Sequence, residues 1–119
     1  MAIPSRVLMA GNSPLSSTTI CGDVAIGLVA TGTTAADALQ LSAVINAITT
    51  SSASTGVKLP PTEAGARVTI YNLSGQTITI YPQTGSTINN AAASVTVATT
   101  KSIDLIADSG THWFSLLSA

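Results

Sequence analysis

Residues 67–82, with the sequence RVTIYNLSGQTITIYP, constrain the fold more than any other part of the chain. In both halves of this stretch, aliphatic β-branched residues alternate with threonine or tyrosine, which is the pattern of a strand with one buried face. Gly75 lies between the halves, where a short loop needs a residue that tolerates positive φ. Pro82 ends the second half, because proline cannot donate to a sheet hydrogen bond. The stretch predicts a β-hairpin with Ile70 and Ile80 facing inward on adjacent strands.

An isolated hairpin is marginal in water, so other strands must complete the sheet. Short apolar runs bounded by glycine, proline, asparagine or aspartate supply them, at residues 24–30, 57–59, 87–89, 94–98, 102–107 and 112–117. Short strands at this regular spacing are typical of a β-sandwich or barrel. We therefore predict one all-β domain over residues 23–119.

Residues 33–50 fit two patterns. The helical spacing i, i+3, i+4, i+7 is matched by Leu41, Val44, Ile45 and Ile48. Strand alternation is matched equally well by residues 38–41 and 44–49. The pattern alone leaves helix and strand open over residues 34–48.

Residues 1–22 contain two prolines and two glycines, which argue against a helix or a long strand. Several of the other residues in this segment are too apolar for a solvated tail. We predict an extended N-terminal arm that docks on a neighbouring subunit through Ile3, Val7, Leu8 and Met9. The alternative is a disordered tail, since chain termini are poorly ordered unless they are tied down.

The composition predicts association with other proteins. Only 8% of the residues are charged and the net charge is −1, whereas 45% are hydrophobic. A surface made of hydroxyl and methyl groups is poorly suited to a free monomer, because a net charge near zero promotes association. The four Lys and Arg residues are scattered, so neither nucleic acid nor an anionic membrane is an expected partner. No apolar run has the length of a transmembrane span or a signal peptide.

Candidate catalytic and metal-binding residues are few. His112 is the only histidine and Cys21 the only cysteine, and no glycine elbow or orienting motif accompanies either. Asp104 and Asp108 do not form a calcium loop, and no Cys and His pair has zinc spacing. We predict no enzymatic activity, no catalytic residue, no metal site and no cofactor. The aromatic residues Tyr71, Tyr81 and Trp113 offer stacking surface for a glycan, but cross-strand packing or a subunit interface explains them better.

Several motifs together resemble a known type of module. They include GVKLP at residues 56–60, IYPQTGSTIN at residues 80–89, the Gly-Thr-Thr of residues 32–34 and the late Trp113. Over about residues 24–117 the chain resembles a small β-module of tailed-bacteriophage virion proteins, and it is most similar to jelly-roll capsid decoration (cement) proteins.

The resemblance implies a jelly-roll-like antiparallel β-sandwich in which residues 38–49 are strands. It also implies a homotrimer that binds the phage major capsid protein on the capsid surface of the virion, after synthesis in the host cytoplasm. The predicted interface residues are Ile3, Val7, Leu8, Met9, Tyr71, Tyr81 and Trp113. Two alternatives stay open: a β-module of a tail fibre, spike or baseplate, and a lectin-like domain that binds a host glycan.

Overall fold

The computed structural model describes Gly11 and residues 23–89 and 93–118. The strands are β1 (Val24–Val29), β2 (Leu39–Gln40), β3 (Ile45–Thr50), β4 (Gly56–Lys58), β5 (Arg67–Asn72), β6 (Ile78–Tyr81), β7 (Thr87–Ile88), β8 (Val95–Val97), β9 (Ser102–Ala107) and β10 (His112–Leu117). No helix occurs in these ranges, so the all-β prediction is confirmed, and the ambiguous residues 34–48 contribute to β2 and β3. The described residues thus include no helix that is long and apolar enough to cross a membrane.

The strands form two sheets. One has the order β1-β3-β5-β9-β10-β7 and the other the order β2-β4-β6-β8. From β1 to β6 the chain passes alternately from one sheet to the other, and each strand pairs in parallel with the strand one coil later. Val24 lies opposite Ile45, which lies opposite Thr69, so three coils stack in register. This succession is the winding of a short β-solenoid.

The pairing directions correct the predicted jelly-roll-like sandwich. Five of the eight strand pairings among the described residues are parallel. A jelly roll is built from antiparallel Greek keys. The antiparallel pairing was implied by the resemblance, and strand alternation could not test it, because alternation identifies the buried face of a strand but not the direction of its neighbour.

The predicted hairpin over residues 67–82 is also wrong, because its two strands do not pair with each other. The buried and outward sides predicted for each strand are correct. β5 belongs to the six-stranded sheet and β6 to the four-stranded sheet, so Ile70 and Ile80 do not lie on adjacent strands. Both side chains are nevertheless fully buried, as predicted, together with Val68 and Ile78. β6 ends at Tyr81, directly before Pro82.

A buried polar corner turns the chain from β5 into β6. The side-chain amide of Asn72 donates to the carbonyl oxygens of Gln76, at 2.8 Å, and of Val97, at 3.0 Å. Its oxygen accepts from the backbone nitrogen of Ser74, at 3.0 Å, and from the Ser74 hydroxyl, at 2.6 Å. Because buried polar groups need partners, this network fixes the corner.

The C-terminal strands close the stack with antiparallel pairing. β9 lies between β5 and β10, with Ile103 opposite Ile70 and Ala107 opposite Trp113. β8 pairs with β6 in the other sheet. One core lies between the sheets and is formed by Ala30, Leu41, Ile48, Val57, Leu59, Val68, Ile70, Ile78, Ile80, Ile88, Val97, Ile103, Leu105, Ala107 and Trp113.

The predicted N-terminal arm lies outside the described residues, apart from Gly11. Its docking residues Ile3, Val7, Leu8 and Met9 and the domain division after residue 22 therefore stay predictions. β1 begins directly after the division, at Val24.

Candidate interaction surface

The side of the six-stranded sheet that faces away from the core is the largest ordered surface the strands create. Strand register groups its residues into rows. One row crosses five strands and contains Val24, Ile45, Thr69, Asp104 and Leu116. The flanking rows contain Arg67, Ile106 and Phe114 on one side and Ala47, Tyr71 and Ser102 on the other. With Ile26 on β1, these residues are called the outer face below.

Alternation explains why these side chains point outward. In β3 the buried side chains are Asn46 and Ile48, and in β9 they are Ile103, Leu105 and Ala107. Successive residues of a strand point to opposite sides of the sheet, so the residues between the buried ones face outward.

The outer face exposes several large apolar side chains. Ile26 is 76% exposed, Leu116 60% and Tyr71 43%, and Val24 and Phe114 are also exposed. Single exposed apolar residues are ordinary, but several of them on one sheet face point to an interaction site. The outer face is therefore the candidate functional site of the described chain.

Charged residues occupy the middle of the outer face. Arg67 Nη2 lies 3.2 Å from Asp104 Oδ2, and the Thr69 hydroxyl donates to the other carboxylate oxygen of Asp104. An exposed ion pair of this kind contributes little to stability. It does leave the outer face electrically neutral, with its two charges satisfied by each other.

The three aromatic residues predicted for an interface lie in different places. Tyr71 is on the outer face, as an outward residue of β5. Tyr81 is on β6 in the other sheet, where its hydroxyl donates to the carbonyl oxygen of Thr33 at 3.1 Å. Its ring packs over Gly56, since a Cβ added there would lie 2.8 Å from a ring carbon.

Trp113 is fully buried in the core, and its indole nitrogen donates to the Thr62 hydroxyl at 3.0 Å. The indole thus packs within this chain and has no exposed surface for a partner. The three aromatics do not form one stacking platform for a glycan. Sequence reasoning missed Phe114 and Leu116, which the alternation in β10 places on the opposite side from Trp113.

His112 belongs to a second polar cluster, at the end of β7. Its Nδ1 lies 2.8 Å from Asp108 Oδ1, and its Nε2 contacts the carbonyl oxygen of Asn89. The Asn89 carbonyl, and then the Asp108 carboxylate, raise the pKa of His112 above its ordinary value, because both accept hydrogen bonds from the ring. The Asn89 side chain in turn bonds the backbone nitrogen and the hydroxyl of Ser115. The cluster joins β7 to β10.

The chemistry of this cluster is that of a structural clamp. His112 contacts an acceptor with each ring nitrogen, and its contacts include no hydroxyl or thiol nucleophile. Cys21, the other candidate for catalysis, lies outside the described residues. Across residues 23–89 and 93–118, no three His, Cys, Asp or Glu side chains converge in a way that would hold a metal ion.

Comparisons with known proteins add no family to this description. No protein-family model matches the chain, and searches of curated proteins and of solved structures found no match. Function is therefore argued from the outer face and from the composition of the chain.

Proposed function

We propose that this chain is a structural virion protein of a tailed bacteriophage, a capsid decoration protein that binds the assembled shell as a homotrimer and stabilises it. The outer face is the observation that carries this proposal. It presents exposed apolar side chains on a chain in which only 8% of residues are charged. Such a surface gains free energy when it is buried against other protein subunits.

The stabilising mechanism is mechanical. A protein that binds the assembled shell but not its separated subunits stabilises the shell by mass action, to an extent set by its free concentration. Three linked copies strengthen the attachment, because binding of the first raises the effective concentration of the others at the shell.

A tail fibre, spike or baseplate module is the second candidate, and the same surface supports it. The lectin-like alternative has less support. Its three aromatic residues do not come together, since Trp113 is buried and Tyr71 and Tyr81 lie on different sheets. We therefore rank glycan binding third.

The test mixes the purified protein with expanded capsids that lack it. We expect saturable co-sedimentation and a higher temperature of genome release. Binding should change little between low and high salt, because few charges contribute to the contact. Deleting residues 1–22 should weaken attachment while the β-fold persists, as judged by circular dichroism.

Two outcomes would redirect the assignment. Binding to purified tails but not to capsids would move the protein to the tail, and binding to host-surface glycans alone would favour the lectin-like alternative. Unchanged attachment of the truncated protein would leave residues 1–22 without a docking role.

A further inference from the structure

We infer that the outer face is the surface through which copies of this chain pack against one another, so that its apolar rows are buried between subunits. This inference identifies the interface of the homo-oligomer in the proposed function and rests on that part of it. Three features of the outer face support a second copy as its occupant: its size, its charge and its shape.

The size of the outer face suits a subunit contact. Five six-residue strands, β1, β3, β5, β9 and β10, about 4.8 Å apart and with about 3.3 Å per residue, give a flat footprint of roughly 480 Å². Side chains that stand up from the sheet increase the accessible area above this value. The footprint counts the polar residues of the face, Arg67, Thr69, Ser102 and Asp104, together with the apolar ones. It approaches the roughly 800 Å² that each partner buries in a stable interface.

The charge of the outer face suits a partner that is also neutral. Its only charged residues are Arg67 and Asp104, and they pair with each other. A strongly acidic or basic partner would find no complementary charge there. A second copy brings the same neutral surface, so no like charges are forced together in an unpaired state.

The shape of the outer face suits packing against another sheet. Its rows run straight across β1, β3, β5, β9 and β10 without an intervening loop, as the register of the paired residues requires. Two sheet faces pack about 10 Å apart when their side chains interdigitate. The face carries exposed apolar side chains at both edges, Val24 and Ile26 on β1 and Leu116 on β10, with the Arg67–Asp104 pair between them.

Two neighbouring residues of β10 provide a matched test. Leu116 is 60% exposed and lies opposite Asp104 on the outer face. Leu117 is 59% exposed and lies opposite Ile103, on the other side of the same sheet. The variants Leu116→Glu and Leu117→Glu therefore add the same charge at nearly the same exposure, and they differ in the side of the sheet that receives it.

The measurement is light scattering on the full chain at micromolar concentration, with circular dichroism to verify folding. We expect the unmodified protein to have a mass that is a multiple of 11.9 kDa. Leu116→Glu should reduce the mass to that of a single chain, and Leu117→Glu should leave the oligomer intact. Ile26→Glu, at the far edge of the outer face, should act as Leu116→Glu does and replaces it if that variant fails to fold.

Three results would overturn the inference. The first is that the unmodified protein is monomeric, and the second is that the two β10 variants have equal effects on the mass. The third is that deletion of residues 1–22 dissociates the oligomer while the Leu116→Glu variant remains oligomeric. The last result would make the arm the contact instead. An oligomer that depends on Leu116 but does not bind capsids would refute the capsid decoration role and leave the interface standing. A monomer that binds capsids would refute the interface and leave the binding to capsids standing.

Discussion

Two loops of this chain each contain a Ser-Gly pair, but they direct the chain into different sheets. A Ser-Gly pair follows β5, at Ser74 and Gly75, and another follows β9, at Ser109 and Gly110. After β9 the chain reverses and forms β10 beside β9, with Trp113 opposite Ala107. After β5 the chain leaves the sheet and forms β6 in the other one.

The difference between the loops lies in what surrounds the Ser-Gly pair. After β5, Asn72 and Ser74 are buried, and the Asn72 side chain donates to the backbone of the loop, at Gln76, and of β8 in the other sheet, at Val97. After β9, Asp108 is exposed, and its backbone nitrogen donates to the carbonyl oxygen of His112 across the turn, at 3.2 Å. The loop after β5 thus has the side-chain hydrogen bonds of a buried asparagine in place of hairpin hydrogen bonds, and these bonds hold the chain in a corner. This corner lies inside the coiled region, β1 to β6, whereas the hairpin lies inside the closing region, β7 to β10.

The largest effect is expected where the two regions share their core. Ile80 belongs to the coiled region and Ile103 to the closing region, and both are buried in one cluster. Ile80→Asp and Ile103→Asp should each lower the free energy of unfolding by about 3–5 kcal/mol, because the new carboxylate is buried without a partner. The measurements are the yield of soluble protein and, for a soluble variant, its unfolding transition in urea.

Thr96→Asp is the control, because Thr96 is exposed on β8. It should change stability by less than about 0.5 kcal/mol. If Ile103→Asp left a folded coiled region with its own transition, the two regions would be independent, contrary to the shared core.

A smaller effect is expected at the corner inside the coiled region, between β5 and β6. Asn72→Ala removes the side-chain partners of the Gln76 and Val97 carbonyls. Leaving such buried groups unpaired should cost about 2–4 kcal/mol in the free energy of unfolding, measured in urea. Gln76→Ala is the control, because only the backbone of Gln76 takes part and its side chain is exposed. Equal stability of the two variants would show that the corner forms without Asn72.

The smallest effect concerns the closing region alone and depends on pH. The pKa of His112 is raised in the folded chain, so the stability it contributes is complete below the unfolded pKa of about 6.5 and is lost as pH rises through the folded pKa. The thermal midpoint should therefore fall between about pH 5 and pH 9 more steeply than in His112→Gln. NMR titration of the ring would check the direction. A His112 pKa at or below the ordinary value would contradict the clamp to Asn89 and Asp108.

The sequence predicted which side chains are buried better than it predicted which strands pair. Alternation along β5 and β6 identified Val68, Ile70, Ile78 and Ile80 as buried, because the side of a strand follows from local geometry. It did not identify parallel coils, because alternation within a strand does not show which other strand it pairs with, or in which direction. In the sequence, the residues that follow Asn72 match a hairpin loop. Only the burial of the Asn72 side chain distinguishes this corner from such a loop.

The candidate site was predicted in part. Tyr71 was expected to face outward and does, while Trp113 was expected at an interface and is buried. In β10 both sides of the strand are apolar, so alternation alone does not show whether Trp113 or Phe114 faces the core. Pairing of Trp113 with the buried Ala107 decides it, and that pairing is not visible in the sequence.

The position of β9 next to β5 has a consequence for synthesis on the ribosome. The coils pair with segments made shortly before them, and they can wind in the order in which they emerge. The free side of β5 is different, because Thr69 pairs with Asp104, which is made much later. Until that segment has left the exit tunnel, the nascent chain carries an unpaired strand edge and an open core, the kind of species that aggregates. The emergence of β9 therefore decides when the growing chain can cover the free edge of β5.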